Sequence, residues 1–169
     1  MNLSRAASRP PKCLLINTVT GEAMEPLFNP AQITEAVQAN FQRHQPPGIA
    51  WETLHYTGTS NRTFKGIEFY VDRFFAEAQP NAPDIREFRA FLKAFMAPPA
   101  TQDGTPNNTP PRMLFIWPDV AVIEAVVLEL EFQYKQFNTY AEVVVYTATC
   151  SLEAVALRPI TSESLRQEL

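Results

Sequence analysis

The sequence predicts a β-rich α+β domain: antiparallel strands forming a small barrel or a two-sheet sandwich, with one flanking amphipathic helix. Three observations predict it. Apolar and polar residues alternate at a period of two in several short runs. One stretch, 84–97, carries a helical stripe and a capping residue. Fifteen prolines against five glycines in 169 residues divide the chain with stiff loops.

Residues 1–11, MNLSRAASRPP, read as a flexible arm, either frayed or folded onto a neighbouring subunit. The domain proper spans 12–150. Lys12 to Thr18 is an apolar run that reads as a strand, and Thr20-Gly21-Glu22 turns the chain. Ala23 to Leu27 returns as a second strand to complete a first hairpin. Phe28-Asn29-Pro30 stops it, because proline cannot donate to a ladder. Ile33 to Phe41 fits helical spacing through Ile33, Val37 and Phe41, and fits an edge strand through Thr34, Ala36 and Gln38. Residues 45–48, QPPG, are a rigid loop that leads to Trp51 and Tyr56.

Residues 54–72, LHYTGTSNRTFKGIEFYVD, read as a strand, a polar turn and a second strand paired as a hairpin. Ile67, Phe69 and Val71 fall on one side; Glu68, Tyr70 and Asp72 fall on the other. Asp84 can cap the helix, with Glu87 completing a capping-box pattern. Its stripe is Ile85, Phe88, Phe91, Leu92 and Phe95, opposite Arg86, Glu87, Arg89 and Lys93. A helix of this kind needs an apolar surface, and the sheet provides it. Pro98-Pro99 ends it, and the segment 98–111 is a Pro-rich surface loop. Arg112 to Trp117 is a strand, and Val120 to Tyr134 is a long strand with room for a bulge. Lys135 to Asn138 turns, and Thr139 to Cys150 returns as the last strand. Residues 151–169 are a polar tail with a short helix over 163–169.

Composition excludes several functions. The net charge is -4 and the pI about 5.2, so no basic excess exists to hold nucleic acid. No secretion signal and no membrane-length apolar run is visible. Cys13 and Cys150 read as free buried thiols. These cysteines with His44 and His55 are too scattered for a zinc site. Ser60-Asn61-Arg62 lacks the glycines of a nucleophile elbow. Glu129 and Glu131 share a strand face, which reads as a solvated or subunit-facing surface rather than an acid–base pair. No catalytic site, cofactor or metal is expected. Trp51, Phe64, Tyr70, Phe74, Phe75 and Trp117 exceed what a small core needs, so one or two serve as interface anchors. Arg62 beside Asn61 is the candidate for an ion pair or hydrogen-bond clamp.

The order of segments resembles the tube-domain family of contractile injection systems. These are baseplate tube-initiator or hub-adaptor proteins of contractile phage tails and phage-tail-like particles. The resemblance rests on CLLINTVTGEAMEPLFNP (13–30), PPGIAWETLHYTGTSNRTFKGIEFYVD (46–72), DIREFRAFLKAFMAPP (84–99) and the stretch 110–150 from PPRMLFIW to VVVYTATC. It implies a tail-tube-like fold and a structural, non-catalytic role. The subunit would form a ring, six-fold in preference to three-fold, between a trimeric spike hub and the tail-tube protein, with baseplate wedge proteins as further neighbours. Assembly would occur in the bacterial cytoplasm, and the product would sit in a virion tail or an extracellular particle. The matching positions Phe28, Asn29, Pro30, Gly48, Gly58, Asn61, Arg62, Thr63, Pro111, Arg112 and Trp117 would set turns and strand starts. Family members often carry a LysM module, for which this chain leaves no room after Cys150. Two other readings compete: a non-catalytic binding module, and a tail-associated wall hydrolase.

Overall fold

The computed structural model describes residues 11–45, 47–48, 50–79, 82–100, 109–118 and 120–155. The expected arm up to residue 10, the loop centre at 101–108 and the tail with its helix beyond 155 lie outside the described residues. Among these described residues nine strands and two helices follow in the order β1 (Leu14–Asn17), β2 (Ala23–Met24), β3 (Thr34–Ala36), β4 (Ala39–His44), β5 (Thr53–Thr59), β6 (Thr63–Asp72), α1 (Arg73–Glu77), α2 (Ile85–Ala94), β7 (Met113–Trp117), β8 (Ala121–Phe137) and β9 (Val143–Ala154). Seven strands form one antiparallel sheet in the order β2-β1-β7-β8-β9-β6-β3; β4 and β5 form a separate two-stranded sheet.

The first hairpin forms at the predicted turn, with Leu15 opposite Met24. The ambiguous 33–41 segment is extended, as β3 and the start of β4. The predicted pairing within 54–72 does not form. β5 pairs with β4, while β6 pairs with β3 and β9. The reason lies in what each strand can bury. β6 turns Ile67, Phe69 and Val71 into the core, whereas most of β5 is exposed. Ser60 diverts the chain: its N–H donates to the Gln38 carbonyl at 2.8 Å, and its Oγ accepts from Gln38 N–H at 2.9 Å.

The sheet curls without closing. Phe28, just past β2, lies 6.0 Å from the Tyr70 ring and 5.7 Å from Phe75, so the two ends of the sheet approach. Among the described residues the edge strands β2 and β3 do not pair, so the barrel alternative gives way to an open, curled sheet.

Two bulges re-aim side chains. In β6, the four residues from Phe64 to Ile67 oppose three on β9, from Leu152 to Cys150, and Gly66 within them holds φ at 70°. Both Phe64 and Ile67 thereby point inward. In β8, Val127 and Glu129 face Leu152 and Ser151, so Leu128 is extra. Before it, Ala121, Ile123, Ala125 and Val127 are buried; after it, Leu130 and Phe132 pack on the core. β8 also outruns its predicted end and continues to Phe137, which moves the last turn to 138–142 and carries β9 on to Ala154.

The helix α2 lies on this sheet. Asp84 caps it by accepting from Arg86 N–H at 2.6 Å. Ile85, Phe88, Phe91 and Leu92 are buried, with Phe95 at the C-cap, and Phe88 meets Phe69 edge-on at 5.8 Å. The Tyr146 hydroxyl donates to the Ile85 carbonyl at 2.8 Å and ties β9 to the helix start. A second, five-residue helix, α1, was not expected. Asp72 caps it by accepting from Phe74 N–H at 2.9 Å, which explains why a carboxylate ends β6 buried.

Candidate assembly surface

The β4–β5 ribbon stands off the main sheet. Every residue of β4 and five of the seven in β5 are exposed. Its two faces differ. Phe41 opposes Tyr56 and Arg43 opposes Leu54, so these four share one face. Phe41 and Tyr56 meet edge-on at 5.7 Å, and Arg43 reaches Glu52 at 3.1 Å. The other face carries Gln42, His44, Thr53 and His55. Phe41, Leu54 and Tyr56, with Trp51 in the connecting loop, are each more than half exposed. An isolated two-stranded ribbon is marginal in water, and an uncovered aromatic face is unusual on a monomer.

The ribbon is held at its base. Arg62 Nε pairs with Glu35 Oε1 of β3 at 2.6 Å, with its guanidinium over the Phe64 ring at 5.3 Å. Asn61 Nδ2 donates to Glu153 Oε1 of β9 at 2.8 Å, and Thr63 Oγ1 donates to the Ala36 carbonyl at 3.3 Å. Asn61, Arg62 and Thr63 thus tie the ribbon's root to both neighbours of β6. Gly58 lies at the irregularity where the β4–β5 register shifts, and Gly48, with φ 86°, lies in the connecting loop.

The remaining sequence candidates sit elsewhere. Asn29 Oδ1 accepts from Cys13 N–H and its Nδ2 donates to the Pro11 carbonyl, both at 2.9 Å, pinning the chain after β2 onto the start of β1. Phe28 joins Tyr70 and Phe75 in a partly exposed aromatic cluster, and Pro30 is buried. Pro111 is buried, and Arg112 pairs with Glu124 at 3.1 Å. Trp117 is half-buried against Phe115. Cys13 and Cys150 are free core thiols, and burial pushes both up to about 12. His44 and His55 are on the ribbon, away from them. Among the described residues no three of His, Cys, Asp and Glu converge to hold a metal, and no helix is long and apolar enough to cross a membrane.

A second surface is polar. Glu131 of β8, Thr149 of β9 and Glu68 of β6 form one rung across the sheet, with Glu129 beside Ser151 on the next. Sequence reasoning singled out Glu129 and Glu131 and missed Glu68, whose place depends on which strands are neighbours. It also missed the shared face of Phe41, Leu54 and Tyr56. The signal for Leu54 and Tyr56 was their spacing of two; the signal for Phe41 existed only once the ribbon was paired.

A family model, that of the contractile injection system tube protein, matches residues 16–156. No curated protein matches the chain.

Proposed function

Because the chain belongs to the contractile injection system tube protein family, we propose that it is a ring-forming structural subunit placed as the adaptor between the spike hub and the inner tube. The observation that carries this reading is the clamped ribbon with its uncovered Phe41–Leu54–Tyr56 face. A monomer gains nothing from holding an aromatic face in water. A subunit that lays the face on a neighbour gains the burial on every copy, and a repeated contact of that kind closes a ring or stacks rings. Six copies per ring would match a hexameric tube, with the tube protein on one side and a trimeric spike on the other. The role is assembly in the bacterial cytoplasm, followed by residence at the particle's baseplate, and no step is catalysed. The acidic surface of Glu68, Glu129 and Glu131, on two neighbouring rungs, suits a lumen wall that repels phosphate-rich cargo.

The test is quantitative mass spectrometry of purified contractile particles, comparing this chain's copy number with those of spike and tube subunits. One ring's worth per particle, at twice the count of a trimeric spike, is the expected result. A copy number rivalling the tube would make it the main tube subunit, and absence from the particle would overturn the assembly reading.

A further inference from the structure

Tyr140 is 84% exposed, on a turn that is held rigid. Asn138 Oδ1 accepts from the N–H groups of Tyr140 and Glu142, each at 2.9 Å. Ala141 N–H donates to the Asn138 carbonyl at 3.0 Å, and Ala141 holds φ at 60°, in the left-handed region that a side chain enters only under constraint. Glu142 then ties the turn to both helices, pairing with Arg86 at 2.6 Å and Arg73 at 3.2 Å. An exposed aromatic on a fixed backbone loses little freedom when it docks, which is the physics of an interface anchor.

The other end of the same two strands carries a matching hollow. It measures about 300 Å³ and is lined by Asn61, Val126, Leu128, Glu153, Ala154 and Val155. The β8 bulge pushes Leu128 to its rim, half-exposed. The wall is apolar enough for a ring. The one carboxylate, Glu153, receives Asn61 on Oε1, and its other oxygen can accept a phenol hydroxyl.

We propose that Tyr140 of one copy seats in the Val126–Leu128–Val155 hollow of a second copy. Turn and hollow lie at opposite ends of the β8–β9 ribbon, so they cannot meet within one molecule. A contact between them is head-to-tail, and every copy that offers a turn also offers a hollow. This deepens the assembly reading and rests on it, by adding a contact separate from the β4–β5 face.

The test places the photo-reactive residue p-benzoylphenylalanine at position 140 in the full chain and illuminates the assembled oligomer. Peptide mapping should find inter-chain adducts at 126–128 or 153–155. Tyr140→Ala should weaken assembly by about tenfold or more, and Tyr140→Phe should retain most of it. Both variants should melt with the wild type, since the ring is exposed. Adducts elsewhere, adducts confined to one chain, or unchanged assembly of Tyr140→Ala would overturn the contact while leaving the assembly reading standing. A wild-type chain that forms no oligomer and enters no particle would overturn both.

Discussion

Tyr146→Phe isolates one bond in the joint between sheet and helix. The Tyr146 ring is buried against Phe132 and Tyr134, with centroids at 5.9 and 6.2 Å, and its hydroxyl donates to the Ile85 carbonyl at 2.8 Å. Phenylalanine keeps the ring and removes only the hydroxyl. The Ile85 carbonyl is also the acceptor of the first helical turn of α2, so it is not orphaned. The expected cost is therefore that of one net hydrogen bond, about 1 kcal/mol. For a chain of this length that lowers Tm by about 2–4 °C. Tyr146→Ala adds the loss of the ring and a cavity, for a total of about 3–5 kcal/mol. Urea titration followed by circular dichroism measures both. High pH supplies an independent check. Burial raises the Tyr146 pKa above the ordinary tyrosine value, so the unfolded chain ionises first. The stabilisation from keeping this group neutral is present below about pH 10 and is lost as pH rises through the folded-state value. The gap between wild type and Tyr146→Phe should then narrow above pH 10. A Tyr146→Phe variant as stable as wild type at pH 7 would refute the helix tie, and a gap that widens with pH would refute the burial.

Four more outcomes follow from the geometry. Gly66→Ala should cost about 1–2 kcal/mol in urea titration and Gly66→Asn less, because φ is 70° while a Cβ there meets nothing within 4 Å; equal stability would mean the bulge relaxes. Hydrogen bonds from Asn138, Arg86 and Arg73 hold the Glu142 pKa below its usual value, so its contribution is present above the unfolded carboxylate value and fades as pH falls through the lowered one. The Tm difference between wild type and Glu142→Gln should shrink over that acid range, and a difference independent of pH would show that charge plays no part. Phe41→Ser with Tyr56→Ser should abolish oligomers in analytical ultracentrifugation while leaving Tm nearly unchanged; intact oligomers would remove the ribbon from the interface. Glu129→Lys with Glu131→Lys should leave particles intact and slow cargo passage through them, and unchanged passage would refute a lumen-facing rung.

Local physics was legible in the sequence and long-range pairing was not. The α2 stripe, its Asp84 cap and the β1–β2 turn are set by residues within a few positions of each other, and all three could be read. β5 and β6 were assigned to each other because they are adjacent and separated by turn formers. β5 instead folds back on the preceding β4 across the loop that carries Trp51, whereas the partners of β6, β3 and β9, lie far away in the sequence and depend on what distant strands can bury. The β8 bulge left a trace in the sequence, since the apolar phase shifts from odd positions at 121–127 to even positions at 130–134. The alternation was read only after the shift. α1 is too short to show a period, and its one signal was the Asp72 cap. The Glu142 network was out of reach because its partners are distant: Arg86 and Arg73 are 56 and 69 positions from Glu142.

The place of β9 in the sheet also bears on how the chain is made. β9 is hydrogen-bonded to β8 on one side and β6 on the other, yet it is the last of the strands among the described residues. β6 is complete at Asp72, but β9 begins only at Val143. During synthesis β6 must wait through α1, α2, β7 and β8 for its main neighbour, with Ile67, Phe69 and Val71 uncovered. The slow step in biogenesis is then the insertion of one late strand between two waiting edges, and the nascent chain is most prone to aggregate just before that strand emerges.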